Sequence, residues 1–327
     1  MNKTLLAAAA APLLLACPAL AQDAGDVVTG TTAAPAVDAL GAPGEREGRM
    51  VRVDGAEIFV EESGSGPDLV LLHGYPLSGA LFSRVRPALE EHFTVVTLDH
   101  RGYGQSQARR AGGSVEAYAE DALAVIDELG IENAIVGGMS MGGPIVFSMY
   151  EQAPERFGGL VLIDTTASSA NPAERGLWEG TEAIIKKDGM APIYPALLPD
   201  MLSGQTRLNQ PEVGEYLTEV MEGATTAAGR AGARALAERP DRTEMLAGID
   251  VPALVIVGME DALYAMSVSA DMAETLPEGE LAIIPGASHA AVFEAPGPSA
   301  AAILRWASRN YQNVQYGGTV QEDREAR

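Results

Sequence analysis

Six short apolar runs constrain the fold of this chain more strongly than any other feature of its sequence. They have almost no polar alternation, which is typical of parallel strands buried on both faces of a sheet. Amphipathic stretches separate them, so the order strand–helix–strand predicts a doubly wound α/β fold with helices on both faces. The apolar runs lie at 68–72, 94–98, 134–136, 160–163, 253–257 and 281–284, and the helical stretches at about 80–91, 114–129, 141–152 and 297–309.

Two more strand-like segments precede these runs, at about 49–54 and 56–63. Asp54-Gly55 lies between them and is a strong signal for a hairpin turn. Together with the six apolar runs, these segments predict a mostly parallel sheet of about eight strands.

The alternation of strands and helices breaks between Thr165 and about Leu246. Prolines divide this stretch into short helical pieces, and it has almost no strand signal. We interpret residues 166–246 as a helical lid inserted over one end of the sheet, which leaves 48–165 and 247–310 as the core of the domain. The alternative is an unusually long crossover connection that serves only to pack.

The N-terminus has the features of a secretory signal peptide. Residues 1–21 contain Lys3, a short apolar run, and small residues at Ala19 and Ala21. The apolar run is too short for a permanent transmembrane helix. The alternative is a lipoprotein, because the segment LLAC that ends at Cys17 resembles the bacterial lipobox, in which the cysteine carries a lipid anchor. In either case we expect an exported protein, periplasmic or secreted.

Two further segments lack the pattern of a folded domain. Residues 22–47 are rich in small, polar and proline residues without a sustained period, which predicts a flexible linker. Residues 311–327 have no apolar face and are predicted to be a disordered tail. The folded domain is therefore expected at about 48–310.

Composition excludes several classes of function. The chain has 22 Lys and Arg against 45 Asp and Glu, a formal net charge of −23, so we expect no nucleic-acid partner. Its 47% hydrophobic residues exclude a fully disordered chain. A single cysteine, Cys17, rules out an intrachain disulfide and a thiolate zinc site, and imidazole chemistry is limited to His73, His92, His100 and His289.

The segment Gly138-Met139-Ser140-Met141-Gly142 has the form G-x-S-x-G and lies between a predicted strand and a predicted helix. Such a turn holds the serine in a strained backbone conformation with its hydroxyl above the sheet edge, and the glycines allow neighbouring backbone to approach. The N-terminus of the following helix stabilises negative charge at the same place. Ser140 is therefore the candidate nucleophile.

Four other motifs accompany this turn, and with it they resemble the α/β-hydrolase fold superfamily. The resemblance covers about 48–310 and includes the order serine, acid, histidine along the chain and the position of the lid. Residues 140–166 and 242–258 are similar to the esterase and enol-lactonase branch. The four motifs are His73-Gly74, 99–106 (DHRGYGQS), 258–261 (GMED) and 286–289 (GASH).

Two residues complete a candidate triad with Ser140. His289 follows the last strand and is the candidate general base, since an imidazole can take the proton of a serine hydroxyl near neutral pH. Asp261, after the preceding strand, is the candidate acid that orients the imidazole. Glu260, which is adjacent, and Asp164, a position that some members of the superfamily use, are the alternatives for the acid.

The resemblance also implies an oxyanion hole and a substrate pocket. The backbone N–H groups of Tyr75 and Met141 are the expected oxyanion donors. Met139, Trp178 and Tyr194 are candidates for the pocket wall, although each could equally serve in ordinary packing. No metal and no organic cofactor is implied.

These residues predict a serine hydrolase that cleaves a carboxylic ester or lactone of a small molecule. A carbon–carbon bond hydrolase or a small amidase on the same scaffold is an alternative. Residues 73–78 (HGYPLS) also resemble the cofactor-free haloperoxidase and perhydrolase branch. A non-catalytic binding protein is a further alternative, disfavoured by the complete candidate triad. The sequence indicates no oligomeric state.

Overall fold

The computed structural model describes residues 26–27, 34–109 and 112–312. The predicted signal peptide at 1–21, the alternative lipid anchor at Cys17 and most of the predicted tail lie outside the described residues, so these expectations stay predictions. No helix among the described residues combines the length and the apolar character needed to cross a bilayer.

One sheet forms the centre of the described structure. Its strands are β1 (Asp26–Val27), β2 (Arg49–Val53), β3 (Ala56–Gly64), β4 (Asp68–Leu72), β5 (Thr94–Leu98), β6 (Gln107–Ala108), β7 (Ala134–Met139), β8 (Phe157–Ile163), β9 (Ala253–Gly258) and β10 (Gly279–Ile284). The spatial order is β1-β10-β9-β8-β7-β4-β5-β3-β2, with β6 paired to β3.

Strand pairing is parallel from β1 to β5 along this order, and β3 pairs in the antiparallel sense with β5, β2 and β6. Eight of the strands have five or more residues, and β1 and β6 have two each. The predicted mostly parallel sheet of about eight strands is confirmed.

The helices cover both faces of this sheet. They are α1 (Arg86–Glu90), α2 (Val115–Glu128), α3 (Gly142–Gln152), α4 (Pro172–Asp188), α5 (Ile193–Met201), α6 (Gly204–Asn209), α7 (Pro211–Glu222), α8 (Thr226–Glu238), α9 (Met266–Thr275), α10 (Ala291–Glu294) and α11 (Pro296–Asn310). In β4, Leu69 and Leu71 pack into the cluster of α1 and α11, whereas Val70 and Leu72 pack with α2 and α3 on the other face. This two-sided burial explains the apolar runs of the sequence.

The helix predicted over 80–91 is divided in the structure. A 3-10 turn covers Gly79–Phe82, with the Ser78 hydroxyl accepting a hydrogen bond from the Ala80 N–H, and α1 begins only at Arg86. Pro87 explains the division, since proline has no N–H to continue a hydrogen-bonded helix from the preceding turn.

Helices α4 to α8 form the insertion between β8 and β9. Among them α4 packs along α8, and α5 and α6 pack against α7. The insertion contacts the core domain directly, for example where the Tyr103 hydroxyl donates to the Ala228 carbonyl of α8 at 2.8 Å. We call residues 172–238, which contain these five helices, the lid.

Two stretches predicted to be loose contact the domain. In the predicted linker at 22–47, the guanidinium of Arg46 binds both carboxylate oxygens of Asp99, at 2.7 and 2.6 Å, and pairs with Glu61. In the predicted tail, the Tyr311 hydroxyl donates to the Gly158 carbonyl at 2.6 Å. The composition of both stretches is typical of disorder. Composition alone does not reveal contacts with residues that are distant along the chain.

Candidate active site

The candidate residues lie at one edge of the sheet. Ser140 follows β7 directly and Asp164 follows β8 directly, whereas Asp261 lies three residues beyond β9 and His289 five residues beyond β10. These four strands are parallel neighbours, so their carboxyl ends meet at the same edge. The topology therefore brings together residues that are far apart in sequence.

The turn at Ser140 has the strained geometry that its sequence predicts. Ser140 has a φ of 52°, a region that residues other than glycine rarely adopt. A Cβ on Gly138 would lie 2.4 Å from the Gly142 carbonyl, so the turn admits no side chain there. The Thr165 hydroxyl donates to the Ser140 carbonyl at 2.6 Å and fastens the turn to the end of β8.

Ser140, His289 and Asp261 form a continuous chain of hydrogen bonds. The Nε2 atom of His289 lies 2.8 Å from the Oγ of Ser140, and its Nδ1 lies 2.9 Å from an Oδ of Asp261. Because a carboxylate only accepts, Nδ1 carries the proton and Nε2 is left to accept from the hydroxyl. His289 is fully buried and Ser140 is 7% exposed, so water has little access to these bonds.

The carboxylate of Asp261 is held by its own loop. Its second oxygen accepts the N–H groups of Leu263, at 2.8 Å, and of Tyr264, at 3.1 Å. The ring of Tyr264 lies beside the imidazole of His289, with 5.7 Å between the two centroids. These two hydrogen bonds fix the orientation of the Asp261 carboxylate, whose other oxygen binds the imidazole.

The two alternative acids make other contacts. Glu260 is exposed, and its carbonyl oxygen lies 3.1 Å from the Ser288 hydroxyl oxygen. Asp164 is fully buried and accepts the N–H groups of Gly258, at 2.7 Å, and Ala291, at 3.1 Å. Burial, with the negative charge of Asp261 nearby, raises the pKa of Asp164 well above its usual value. No group of three or more His, Cys, Asp or Glu among the described residues is arranged to hold a metal ion.

The two amides predicted for the oxyanion hole flank the serine. Met141 follows Ser140 in the chain, and Tyr75 follows Gly74, where a Cβ would lie 2.8 Å from the Cβ of Ser140. Within residues 34–109 and 112–312, neither N–H donates to another backbone group. Both amides are therefore available to a ligand oxygen beside the hydroxyl.

Two buried histidines hold the loop that carries Tyr75. The Nε2 of His73 accepts the N–H of His100 at 2.9 Å, and its Nδ1 donates to the Gly74 carbonyl at 2.8 Å. Burial lowers the pKa of His73 to about 3 and that of His100 well below its usual value. Both imidazoles are thus neutral near pH 7 and act as structural groups.

The three pocket candidates occupy different places. Met139 is fully buried, with its sulfur against Gly74, and the ring of Trp178 packs edge-on against Tyr75 at 5.3 Å. Tyr194 is half-buried between the two apolar clusters. Met139 and Trp178 therefore contact the loop beside Ser140, whereas Tyr194 packs against both apolar clusters.

Two donors, on side chains that meet where the lid contacts this loop, are buried without a partner among the described residues. They are the hydroxyl of Tyr75 and the indole N–H of Trp178. A buried donor normally finds an acceptor. Both donors belong to side chains at the contact between the lid and the loop, where the two rings pack edge-on.

Residues 67–296 match the family model of the alpha/beta hydrolase fold, which is more than half of the chain. The chain belongs to the α/β-hydrolase family. The resemblance expected from the five sequence motifs is confirmed.

Curated relatives of this α/β-hydrolase include an esterase and a haloperoxidase. A pimeloyl-[acyl-carrier protein] methyl ester esterase of Vibrio cholerae is 30% identical over 246 residues, which cover 71% of this chain and 91% of that protein. A non-heme haloperoxidase of Rhodococcus erythropolis is 29% identical over 251 residues, which cover 72% and 90%.

Among solved structures, a thermophilic esterase from Thermogutta terrifontis, with malate bound, is similar with a TM-score of 0.77. It is 30% identical, and the match covers 80% of this chain and 99% of that one. The esterases among these relatives support hydrolase activity in this chain.

The α/β-hydrolase site includes contacts that the sequence did not indicate. The Tyr264 hydroxyl reaches the carboxylate of Glu174 in the lid at 3.4 Å, and that carboxylate binds the buried guanidinium of Arg239 at 2.7 and 2.8 Å. Thr165 fastens the serine turn. No sequence motif marks these residues. At Thr165 the sequence showed only the change from strand to loop after β8.

Proposed function

We propose that this α/β-hydrolase is a serine hydrolase that cleaves carboxylic ester or lactone bonds of small molecules through an acyl-enzyme intermediate. The proposal rests on the hydrogen-bonded chain from the Ser140 hydroxyl through the His289 imidazole to the Asp261 carboxylate. A serine hydroxyl is a weak nucleophile until a base takes its proton, and this arrangement supplies the base and the acid that orients it.

Acylation uses His289 first as a base and then as an acid. His289 Nε2 takes the hydroxyl proton as the Oγ of Ser140 bonds to the carbonyl carbon, and the carbonyl oxygen becomes an oxyanion held by the Tyr75 and Met141 amides. Asp261 stabilises the imidazolium. The C–O bond then breaks, and His289 returns the proton to the leaving oxygen.

Deacylation repeats the sequence with water. His289 removes a proton from water as its oxygen attacks the acyl carbon, the bond to Ser140 Oγ breaks, and the serine regains its proton from His289. An ester yields an acid and an alcohol. A lactone yields a single hydroxy acid, because its leaving oxygen stays on the acyl chain.

The relatives and the environment of the serine both favour an ester substrate. Two of the similar proteins are named esterases. Met139, Trp178 and the ring of Tyr75 are apolar groups packed at the loop beside Ser140, which supports a small substrate with an apolar acyl part. Carbon–carbon bonds and amides are the alternatives for the same triad.

Perhydrolysis is a second candidate. A named non-heme haloperoxidase is 29% identical to this chain, and residues 73–78 have the corresponding motif. In this reaction hydrogen peroxide replaces water as the attacker of the acyl-enzyme and releases a peracid. Ester assays with added peroxide test it: peracid formation that depends on Ser140 supports this activity, and its absence excludes it.

A substrate panel with matched serine variants tests the main proposal. We expect turnover of short-chain p-nitrophenyl esters or lactones, and a loss of about four or more orders of magnitude in kcat/KM in Ser140→Ala. Ser148→Ala, which changes a buried serine of α3, is the control and should stay within about twofold. Turnover retained in Ser140→Ala, or confined to amides or vinylogous diketones, contradicts the ester proposal.

The proposal includes export, which rests on the composition of residues 1–21. Mass spectrometry of the mature protein from its host tests it. We expect Gln22 as the first residue. A diacylglyceryl group on Cys17 supports the lipoprotein alternative, and a retained Met1 contradicts export.

A further inference from the structure

Two buried carboxylates hold the loop that carries His289, one on each side of the imidazole. Glu294 accepts the N–H of Ser288 at 2.6 Å, and Asp164 accepts the N–H of Ala291 at 3.1 Å. Glu294 is only 8% exposed. The backbone on both sides of the histidine is therefore fixed by hydrogen bonds to buried carboxyl groups.

Glu294 also reaches the lid. Its second oxygen accepts the N–H of Ser203 at 2.9 Å, at the residue that caps the N-terminus of α6. One carboxylate thus joins the backbone of the lid to the backbone next to the histidine. Only a carboxylate can accept with both oxygens, since an amide side chain would present N–H groups on one side.

Two more hydrogen bonds run beside this contact. The N–H of Ala290 donates to the Met201 carbonyl at 2.9 Å, and the hydroxyl of Ser288 donates to the Asp200 carbonyl at 2.8 Å. Lid residues 200–203 therefore run along residues 288–290. The end of α5 is therefore hydrogen-bonded to the histidine loop.

A cation compensates part of the buried charge. The guanidinium of Arg84 interacts electrostatically with Glu294 and donates to the Phe293 carbonyl at 2.8 Å. A buried carboxylate is costly unless it is paired and hydrogen-bonded. Glu294 accepts two backbone N–H groups and is influenced by the Arg84 cation, at the point where the lid and the histidine loop meet.

We propose that Glu294 is a positioning residue for His289, and that through it lid residues 200–203 are part of the support of the general base. The inference rests on the proposed serine-hydrolase function. Its physical basis is that proton transfer requires the imidazole within hydrogen-bonding reach of the hydroxyl, and a displacement of about 1 Å can lower the rate about 100-fold.

Glu294→Gln tests the role of the carboxylate. The amide accepts one N–H and turns its NH2 group toward the other, so the loop shifts while the volume is unchanged. We expect kcat for a p-nitrophenyl ester to fall about 10- to 100-fold with KM changed less than about threefold. The low-field proton resonance of His289 Nδ1 should also shift or broaden relative to the wild type.

Ser203→Pro, with Ser203→Ala as its control, tests the part of the lid. Ser203 has φ −58° and Leu202 before it is extended, so proline fits the backbone but removes the N–H that Glu294 accepts. Alanine keeps that N–H, and both variants lose the hydroxyl that caps α6. We expect kcat to be at least about fivefold lower in the proline variant than in the alanine variant, with similar KM.

The outcomes separate this inference from the proposed function. A wild-type protein without hydrolase activity overturns the proposed function, and an unchanged His289 resonance in Glu294→Gln overturns the inference independently of activity. If the wild type is active and Glu294→Gln keeps its kcat while only its Tm falls, Glu294 is not a positioning residue. Equal kcat values in the two Ser203 variants overturn the proposal that lid residues 200–203 support the general base. If Glu294→Gln does not fold, the Ser203 pair decides the question.

Discussion

Asp164 and Asp261 lie near the carboxyl ends of neighbouring parallel strands, yet their carboxylates have different partners. Asp164 follows β8 directly and accepts two backbone N–H groups, from Gly258 and Ala291. Asp261 lies three residues beyond β9, and one of its oxygens binds the imidazole of His289. In this structure the aspartate directly after its strand binds backbone, whereas the aspartate three residues beyond its strand reaches the imidazole of His289.

Asp261→Asn gives the largest effect expected from this comparison. The asparagine cannot hold His289 in the tautomer that accepts the serine proton, and kcat should fall about 10⁴-fold. Steady-state kinetics with a p-nitrophenyl ester measure it, with circular dichroism as the check of folding. A loss below about tenfold would mean that another acid, Asp164 first, orients the imidazole.

Asp164→Asn should act mainly on stability. Asparagine leaves one of the two buried N–H groups without an acceptor, so the free energy of unfolding should fall by about 1–3 kcal/mol. Because Ala291 belongs to the histidine loop, kcat should also fall, by up to about tenfold. Denaturant unfolding measures the first effect.

Asp250→Asn is the control for this variant, since Asp250 precedes β9 and so lies at the opposite edge of the sheet. We expect its kcat to match that of the wild type. An Asp164→Asn protein with full stability and a loss of kcat as large as that of Asp261→Asn would reverse the roles of the two aspartates.

The pH dependence of stability tests the same difference between Asp164 and Asp261. The pKa of Asp164 is raised above the usual 3.8, so the folded state binds its proton more tightly than the unfolded state. Its contribution to stability is therefore full below pH 3.8 and is lost as pH rises through the raised pKa, by at most about 1.4 kcal/mol per pH unit.

Unfolding of the wild type and of Asp164→Asn over a pH series measures this contribution. The wild type minus variant difference in unfolding free energy should shrink as pH rises. A difference that grows with pH would show that the folded protein favours the ionised carboxylate instead.

Glu260→Gln gives the smallest effect. Glu260 is adjacent to Asp261 but its side chain is exposed, so kcat should stay within about twofold of the wild type and the unfolding free energy within about 0.5 kcal/mol. The same ester assay and denaturant series measure both values. A loss of about 10²-fold or more in kcat would mean that Glu260, rather than Asp261, orients the imidazole.

The sequence predicted the residues whose signals are local. The apolar runs marked the strands, and G-x-S-x-G between a strand and a helix predicted the strained turn that Ser140 adopts. His289 and Asp261 were predictable because each follows a recognisable strand in a motif of the family. The structure brings these two residues and Ser140 within hydrogen-bonding distance.

Other features depend on contacts between distant segments and had no local signal. The choice between Asp261 and Asp164 depends on loop lengths after two strands and on where Gly258 and Ala291 lie. The binding of Arg46 to Asp99 depends on a partner 53 residues away. Glu294 and Ser203 are 91 residues apart, so their hydrogen bond appears only when the lid has folded onto the domain.

Covalent labelling by a fluorophosphonate tests most directly whether Ser140, His289 and Asp261 work as a triad. The reagent reacts only with a serine whose hydroxyl is activated by a base. We predict one adduct per chain, located at Ser140 by peptide mass spectrometry, and strongly slowed labelling in His289→Ala. No adduct in the folded wild-type protein, or an adduct at another residue, would contradict the assignment of Ser140 as the nucleophile of this triad.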